Sequence, residues 1–238
     1  MNVGIVGKGR MGQLIEQTAK ERGYTPIMGD TFDTTPLQEA ENLDVILDFS
    51  HPASLDFILE LVKNKPTALV IGTTGYSKEQ VARIEEEANV RPVFYASNYS
   101  VGIAVLKKLA AEAAGILQNW DKEIIECHHN KKADAPSGTA LSLLAAIDPD
   151  DEYEHIFGRE GKPGARGKEI GVHAVRGGSV PGDHEVLFLG DQEVVSLSHR
   201  AQSRQIFVNG ALDAAAFAAG QPAGLYDMED LLKERLSV

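Results

Sequence analysis

The densest chemistry in the chain lies where Glu123-Ile124-Ile125-Glu126-Cys127-His128-His129-Asn130-Lys131-Lys132 runs into Ala133-Asp134-Ala135-Pro136-Ser137-Gly138-Thr139-Ala140. Pro136-Ser137-Gly138-Thr139 reads as a loop that opens a helix. The N–H groups of Gly138 and Thr139 would then face an anion such as a carboxylate, with the positive end of the helix behind them. His128, His129 and Lys132 would surround that anion with positive charge, which describes a pocket for a small acid or diacid. Two other readings compete. A metal site of Cys127, His128 and His129 is disfavoured because consecutive strand residues point to opposite faces and the spacing departs from zinc patterns, so no metal is expected. A solvated loop with one buried histidine is the other, and the His-His-x-x-Lys run ahead of a Ser-Gly-Thr helix start weighs against it. Asp134 is expected to order the loop rather than to act on a substrate.

A second constellation stands at the start of the chain. Gly7-Lys8-Gly9-Arg10-Met11-Gly12 is a full GxGxxG between an expected first strand and an expected first helix. In that setting Gly7 permits the tight turn, Gly9 lets the backbone approach a pyrophosphate, and Gly12 allows close helix–strand packing. Asp30, near the end of the second strand, could accept hydrogen bonds from an adenosine ribose and would repel a 2′-phosphate. Lys8 and Arg10 could attract one instead, so the signals oppose each other and use of both NADH and NADPH is expected. Gly72-Thr73-Thr74-Gly75 and Ala96-Ser97-Asn98-Tyr99 follow the fourth and fifth strands, at the carboxyl ends where open α/β sheets bind ligands. They are equally readable as ordinary loops.

These residues need a scaffold, and the pattern supplies one. Apolar runs at Val3 to Val6, Thr25 to Met28, Val45 to Phe49, Ala68 to Ile71 and Val93 to Tyr95 read as buried parallel strands. Helical patterns lie between them at Met11 to Arg22, Ala53 to Lys63 and Lys78 to Ala88, the last opened by a Ser77/Gln80 capping box. Alternating β and α at this spacing implies an α/β fold with a doubly wound parallel sheet. Beyond Asn98 the grammar changes to an α+β unit. A long helix from about Val101 to Leu117 leads into an extended Lys122 to His129, then strands near Gly171 to Arg176, Glu185 to Leu189 and Val194 to His199. Gly190 and Asp191 offer hairpin chemistry between the last two. Helices from about Arg204 to Ala218 and from about Asp227 close the chain.

Composition narrows the class. The chain has 238 residues, 43% hydrophobic and 24% charged, which is ordinary for a globular protein. Its formal charge of −12 disfavours nucleic acid and anionic membrane surfaces as partners. The single Cys127 excludes an internal disulfide, no apolar run is long enough to span a bilayer, and no signal peptide precedes the first strand, so a cytoplasmic enzyme is expected.

With these residues in view, the chain resembles the 4-hydroxy-tetrahydrodipicolinate reductases, also called dihydrodipicolinate reductases, of lysine and diaminopimelate biosynthesis. The run EIIECHHNKKADAPSGTA is similar to that family's signature, and GKGRMG, VIGTTG, YASNYSVGIAV, AVRGGSVPGDHEVLF, SHRAQSR, FVNGAL and GLYDMEDLL follow the family in order. The resemblance implies a Rossmann domain over residues 1–98, completed by about 213–238, and a substrate and oligomerisation domain over 99–212 that builds a homotetramer. It implies hydride transfer from NADH or NADPH to a cyclic imine dicarboxylate. His128 would be the general acid/base, and Lys132 the proton donor. Substrate carboxylates would lie on His129 and on the Ser137, Gly138 and Thr139 helix start, and cofactor contacts on Gly7 to Gly12, Asp30, Gly72 to Thr74 and Ala96 to Tyr99. Arg204 either braces this site or makes a surface ion pair. Hinge closure on binding is expected.

Two departures limit the transfer. The glycine loop is a residue shorter than the family's GxxGxxG form, and Gly29-Asp30-Thr31 stands where an acidic-basic pair is common, so 2′-phosphate recognition must come from elsewhere or be weak. The short segment between Asp30 and Asp44 also reduces the expected adenine-side wall. Another two-domain NAD(P) oxidoreductase acting on a small acid or sugar would share the glycine loop without the His-His-x-x-Lys and Ser-Gly-Thr pairing, and a non-catalytic NADH-sensing module would bind nucleotide without turnover and tolerate Lys132→Ala.

Overall fold

The apolar runs of the first hundred residues become one parallel sheet. A computed structural model describes residues 1–63 and 65–237. They fall into two units, Met1–Val101 with the chain from Gln205 onward, and Gly102–Arg204. The first unit is built from β1 (Asn2–Val6), α1 (Arg10–Glu21), β2 (Thr25–Gly29), α2 (Thr35–Glu39), β3 (Val45–Asp48), a short 3-10 turn (Pro52–Ser54), α3 (Leu55–Val62), β4 (Ala68–Ile71), α4 (Lys78–Glu87) and β5 (Pro92–Tyr95). With β11 (Gly224–Tyr226) from the end of the chain, its sheet order is β11-β5-β4-β3-β1-β2, every pair parallel. The chain grows outward from β1 to β2, then crosses to β3 on the other side. The carboxyl ends of β1 and β3 therefore flank the crevice at which open α/β sheets receive ligands.

All four residues of β3 and of β4 are buried, because helices cover both faces of the sheet. Leu37, Leu55, Ile58 and Ile84 from α2, α3 and α4 close one face over Val6, Ile46, Leu69 and Val93. α1 and α7 (Gln205–Ala218) close the other. α7 belongs to this unit from Gln205, and not from about 213, because its small residues let nearly the whole helix sink onto β3, β4 and β5. Two pieces escape the sequence pattern. α2 fills the segment expected to be a bare short wall, and β11 (Gly224–Tyr226) extends the sheet beside β5 before α8 (Met228–Leu236). Both are too short to show a period.

The second unit begins with α5, a helix running Val101–Ile116, and continues with β6 (Asp121–His128), α6 (Gly138–Ile147), β7 (Glu154–Ile156), β8 (Glu169–Arg176), β9 (Asp183–Gly190) and β10 (Glu193–Arg200). Its mixed sheet has the order β10-β9-β6-β8-β7, with β6 central, parallel to β8 and antiparallel to β9. α5 and α6 bury Ile103, Leu106, Leu143 and Leu144 against Ile124, Ile170, Val172, Val186 and Phe188 on one face. The β9–β10 hairpin turns on Asp191 and Gln192, one residue later than Gly190-Asp191. Gly190 is needed inside the ladder, where a Cβ would meet the Trp120 ring at 2.7 Å. No helix among the described residues is long and apolar enough to cross a membrane.

Close approach in the first unit can be tested at Gly210, where a Cβ would lie 1.7 Å from the Tyr99 carbonyl oxygen. Gly210→Ala should push α7 off the sheet and cost roughly 1–3 kcal/mol in urea unfolding. Unchanged stability would show that α7 does not pack this closely.

Candidate active site

The second unit's chemistry starts from strand alternation. Lys122, Ile124, Glu126 and His128 face the helices and are buried, while Glu123, Ile125 and Cys127 face the other way. The inner face of β6 is thus apolar in its middle and polar at its carboxyl end. The same alternation turns Cys127 away from His128. Glu126, 0% exposed, is saturated with donors. Arg176 of β8 forks onto both of its oxygens at 2.7 and 2.8 Å, the Ser137 N–H donates to Oε1 at 2.9 Å, and His128 Nδ1 lies 2.6 Å from Oε2. Burial alone would raise the Glu126 pKa, but Arg176, His128 and the Ser137 amide hold the carboxyl below the usual range.

The loop after β6 is bound to the β8–β9 connection. The His129 N–H donates to the Val180 carbonyl at 2.9 Å, and the Lys132 N–H donates back to the His129 carbonyl at 3.1 Å. Lys132 Nζ pairs with Asp134 at 2.8 Å, which lowers the Asp134 pKa. Arg176 also donates to the Asp134 carbonyl at 2.7 Å, so one guanidinium ties both His128's neighbour and the Lys132 loop. The Ala135–Pro136 bond is cis. Ser137 caps α6 by accepting the Ala140 N–H at 3.1 Å, and Gly138 and Thr139 form the helix's first turn. One unit therefore brings together His128, His129, Lys132 and the Ser137-Gly138-Thr139 helix start.

Three residues here escaped the sequence reading: Glu126, Arg176 and His184. Glu126 was findable, since it sits two residues before His128 on a strand and so shares its face. Arg176 and His184 were not, because β8 and β9 reach β6 only through sheet pairing, which sets His128 opposite Arg176 and Glu126 opposite His184. The His184 and His128 rings meet edge-on with centroids 5.2 Å apart, and His184 Nε2 lies 3.2 Å from Ser137 Oγ. Arg204 is half-buried immediately before α7.

In the first unit the glycine turn has the geometry a dinucleotide requires. Gly7 has φ +114°, a left-handed value that favours glycine, and a Cβ on Gly12 would lie 1.8 Å from the Gly7 carbonyl oxygen. Nothing lies within 4 Å of a Cβ placed on Gly9, which caps α1 without a side-chain hydrogen bond. The backbone therefore stays open to an anion at the helix N-terminus, and the residues present fit a pyrophosphate. Asp30 Oδ1 accepts the Phe32 and Asp33 N–H groups, both at 2.9 Å. Lys8 is drawn to Asp33 at 2.9 Å, with Asp30 at 3.9 Å, whereas Met11 and the exposed Arg10 sit at the start of α1.

The loops after β4 and β5 divide. Thr74 and Ser97 are exposed, Gly72 and Ala96 are half-buried, and Asn98 accepts the Ser100 N–H at 2.8 Å. Thr73 is buried and accepts the Ser50 N–H at 2.8 Å. Tyr99 is committed to the core, its hydroxyl donating to the Ile71 carbonyl at 2.9 Å with the Phe94 carbonyl at 3.3 Å. Asp48, unremarked in the sequence, organises this end of the sheet. Its backbone carbonyl accepts from Gly72 and Thr73, and its buried carboxylate accepts from Ser50 and, at 2.7 Å, from Tyr76. Burial raises the Asp48 pKa.

A Rossmann-type sheet with a glycine turn at its crossover, joined to a separate unit carrying a histidine, a lysine and a helix start, defines a two-domain NAD(P)H-dependent oxidoreductase. Sequence models of the dihydrodipicolinate reductase N-terminus and C-terminus match residues 25–99 and 102–232. A 4-hydroxy-tetrahydrodipicolinate reductase from an Exiguobacterium species is 42% identical over 100% of this chain and 98% of its own. One from Caldanaerobacter subterraneus subsp. tengcongensis is 42% identical over 95% of each. Among solved structures, a dipicolinate-bound dihydrodipicolinate reductase from Paenisporosarcina sp. TG-14 superposes with a TM-score of 0.77 at 25% identity, covering 95% of this chain and 97% of that one. The chain belongs to the dihydrodipicolinate reductase family.

The second unit's electrostatics make its stability sensitive to acid. Burial, and then the neighbouring His128, push His184 down to about 4 from an ordinary 6.5. The unfolded chain thus takes up a proton that the folded chain refuses, and stability present above pH 6.5 is lost between there and about 4. Glu123 opens a second window. Burial would raise it, yet hydrogen bonds from Arg159, His173 and Arg166 lower it to about 2, so its contribution is lost as pH falls below 4.5. Between pH 7 and pH 5 the His184 share is roughly 1–2 kcal/mol, and His184→Gln should remove it from urea unfolding measured at both pH values. An equal loss in both proteins would mean that His184 is not held neutral.

Proposed function

We propose that this chain reduces the cyclic imine dicarboxylate derived from 4-hydroxy-tetrahydrodipicolinate, dihydrodipicolinate, to tetrahydrodipicolinate in lysine and diaminopimelate biosynthesis, with NADH or NADPH as reductant. The observation that carries the reading is the grouping, within one unit, of His128 on β6, Lys132 in the loop tied down by Arg176, and the opening turn of α6. Family membership supports it, as does the Paenisporosarcina relative's binding of dipicolinate, a flat ring with two carboxylates. His129, Ser137, Gly138 and Thr139 are the residues to hold the substrate's carboxylates, through backbone N–H groups and positive charge at a helix start.

When bound, the reduced nicotinamide supplies a hydride. Gly7, Lys8, Gly9, Arg10, Met11 and Gly12 would hold the pyrophosphate side of the dinucleotide, Asp30 its adenosine ribose, and Gly72, Thr73, Thr74, Ala96, Ser97 and Asn98 the nicotinamide side. Tyr99 supports that last loop from the core rather than touching the ligand. Two electrons entering a conjugated acid leave negative charge, and Lys132 neutralises it by giving one proton, which completes the reduction of one double bond. Arriving substrate carboxylate exchanges with Asp134 for the lysine. His128, with Nδ1 turned to Glu126, works as acid and base through Nε2. We also read the protein as a cytoplasmic homotetramer. The outward face of the second sheet, with Val175 exposed on β8 and Val194 on β10, supports self-association, which sedimentation velocity tests.

The reaction is tested by generating the substrate in situ from pyruvate and aspartate semialdehyde and following nicotinamide absorbance with each cofactor. Wild type should oxidise both, and Lys132→Ala should lose about a hundredfold or more in kcat, the scale of general acid catalysis. A folded, dinucleotide-binding wild type without substrate-dependent oxidation would favour a different dehydrogenase or a sensor. In the same assay Asp33→Asn should raise the NADPH to NADH ratio of kcat/KM several-fold, because it releases Lys8 toward a 2′-phosphate. An unchanged ratio would remove Lys8 from cofactor choice.

A further inference from the structure

We propose that Glu126 is the positioning residue for His128, fixing the ring's orientation and which nitrogen bears the proton, and that Arg176 holds this carboxylate and the Lys132 loop in register. The inference rests on the reading of His128 as the acid/base. Glu126 is fully buried, so it cannot touch substrate and acts only through its partners. As a carboxylate it only accepts hydrogen bonds. With Arg176 on both oxygens and the Ser137 amide on Oε1, the contact at 2.6 Å requires His128 Nδ1 to carry a hydrogen. The proton that comes and goes is then confined to Nε2.

The space around Nε2 agrees with that assignment. A Cβ at Gly182, whose φ is +155°, would come within 2.9 Å of His128 Nε2, so glycine keeps this nitrogen clear of a side chain. The charged and titratable groups tied to the ring directly or through a partner are Glu126 on its own strand, Arg176 on β8, which forks onto Glu126, His184 on β9, and the Lys132–Asp134 pair of the following loop, reached through Arg176. Among them the Glu126 carboxylate is in direct contact with His128. His184 stays neutral beside that ring and adds no competing charge. Arg176 spans two duties, because it forks onto Glu126 and donates to the Asp134 carbonyl. The two proposed proton carriers are thereby referred to one guanidinium.

A purely structural ion pair and a positioning carboxylate make different predictions. Glu126→Gln keeps the shape but presents an N–H where only acceptors fit, and it removes the charge beside the ring. We expect kcat to fall about a hundredfold while the KM for the dinucleotide stays within about twofold, and Glu126→Asp to recover part of kcat. A kcat for Glu126→Gln within about threefold of wild type overturns the proposal. Should Glu126→Gln not fold, long-range nitrogen–proton NMR of the wild type decides. Neutral His128 as the Nδ1–H tautomer is expected, and the Nε2–H tautomer overturns the inference. That spectrum needs no turnover, so an inactive wild type would refute the reductase reading while leaving this one to be judged alone.

Discussion

A carboxylate with no solvent contact is costly unless every acceptor direction is filled, and Glu126 is such a group. Its donors come from three elements: the neighbouring strand through Arg176, its own strand through His128, and the start of α6 through the Ser137 amide. Meeting that demand fixes the pairing of β6 with β8, the direction of the His128 ring and the point at which α6 begins. The loop between His129 and Pro136 is then spanned between fixed ends and tied again through the Asp134 carbonyl. Local order in the catalytic half of the chain follows from satisfying one buried charge.

The nucleotide half works on the opposite principle. Its site is made by leaving side chains out: Gly12 presses against the Gly7 carbonyl, Gly9 leaves open backbone, and α1 begins without a side-chain cap. Buried polar groups play only a supporting part there. Asp48 collects the backbone and hydroxyl groups that shape the loop after β4, and Tyr99 braces the loop after β5 from beneath. A ligand with a pyrophosphate and two riboses can be held by backbone donors that demand little sequence. A small dicarboxylate whose chemistry needs a proton demands named side chains at named atoms.

Under the proposed reading, selection between the two dinucleotides is a local electrostatic matter. Thr31 follows Asp30, the basic residues of the glycine loop are Lys8 and Arg10, and Lys8 is drawn to Asp33. An exposed pair of this kind is weak and salt-sensitive. The proposed balance between NADH and NADPH would accordingly be shallow.

Much of this was legible in the residues alone. Short apolar runs and helical patterns placed the parallel strands of the first unit, the glycine loop between β1 and α1, and the His-His-x-x-Lys run ahead of the α6 cap, because each depends on neighbours only a few residues away. Very short elements were not legible: α2, β7 and β11 hold too few residues to show a period, and what holds them is contact with segments far along the chain. Nor could the sequence assign Tyr99 to the core, since a tyrosine in a loop after a strand reads the same whether its hydroxyl meets a ligand or the carbonyl of Ile71. The sequence by itself determined which groups could do chemistry and on which element each would stand. Only the tertiary structure decided which of them meet, turning Glu126, Arg176 and His184 into His128's surroundings and binding Lys8 to Asp33. Hydrogen bonds and ion pairs act over a few ångströms of space, and sheet pairing sets those distances without regard to separation along the chain.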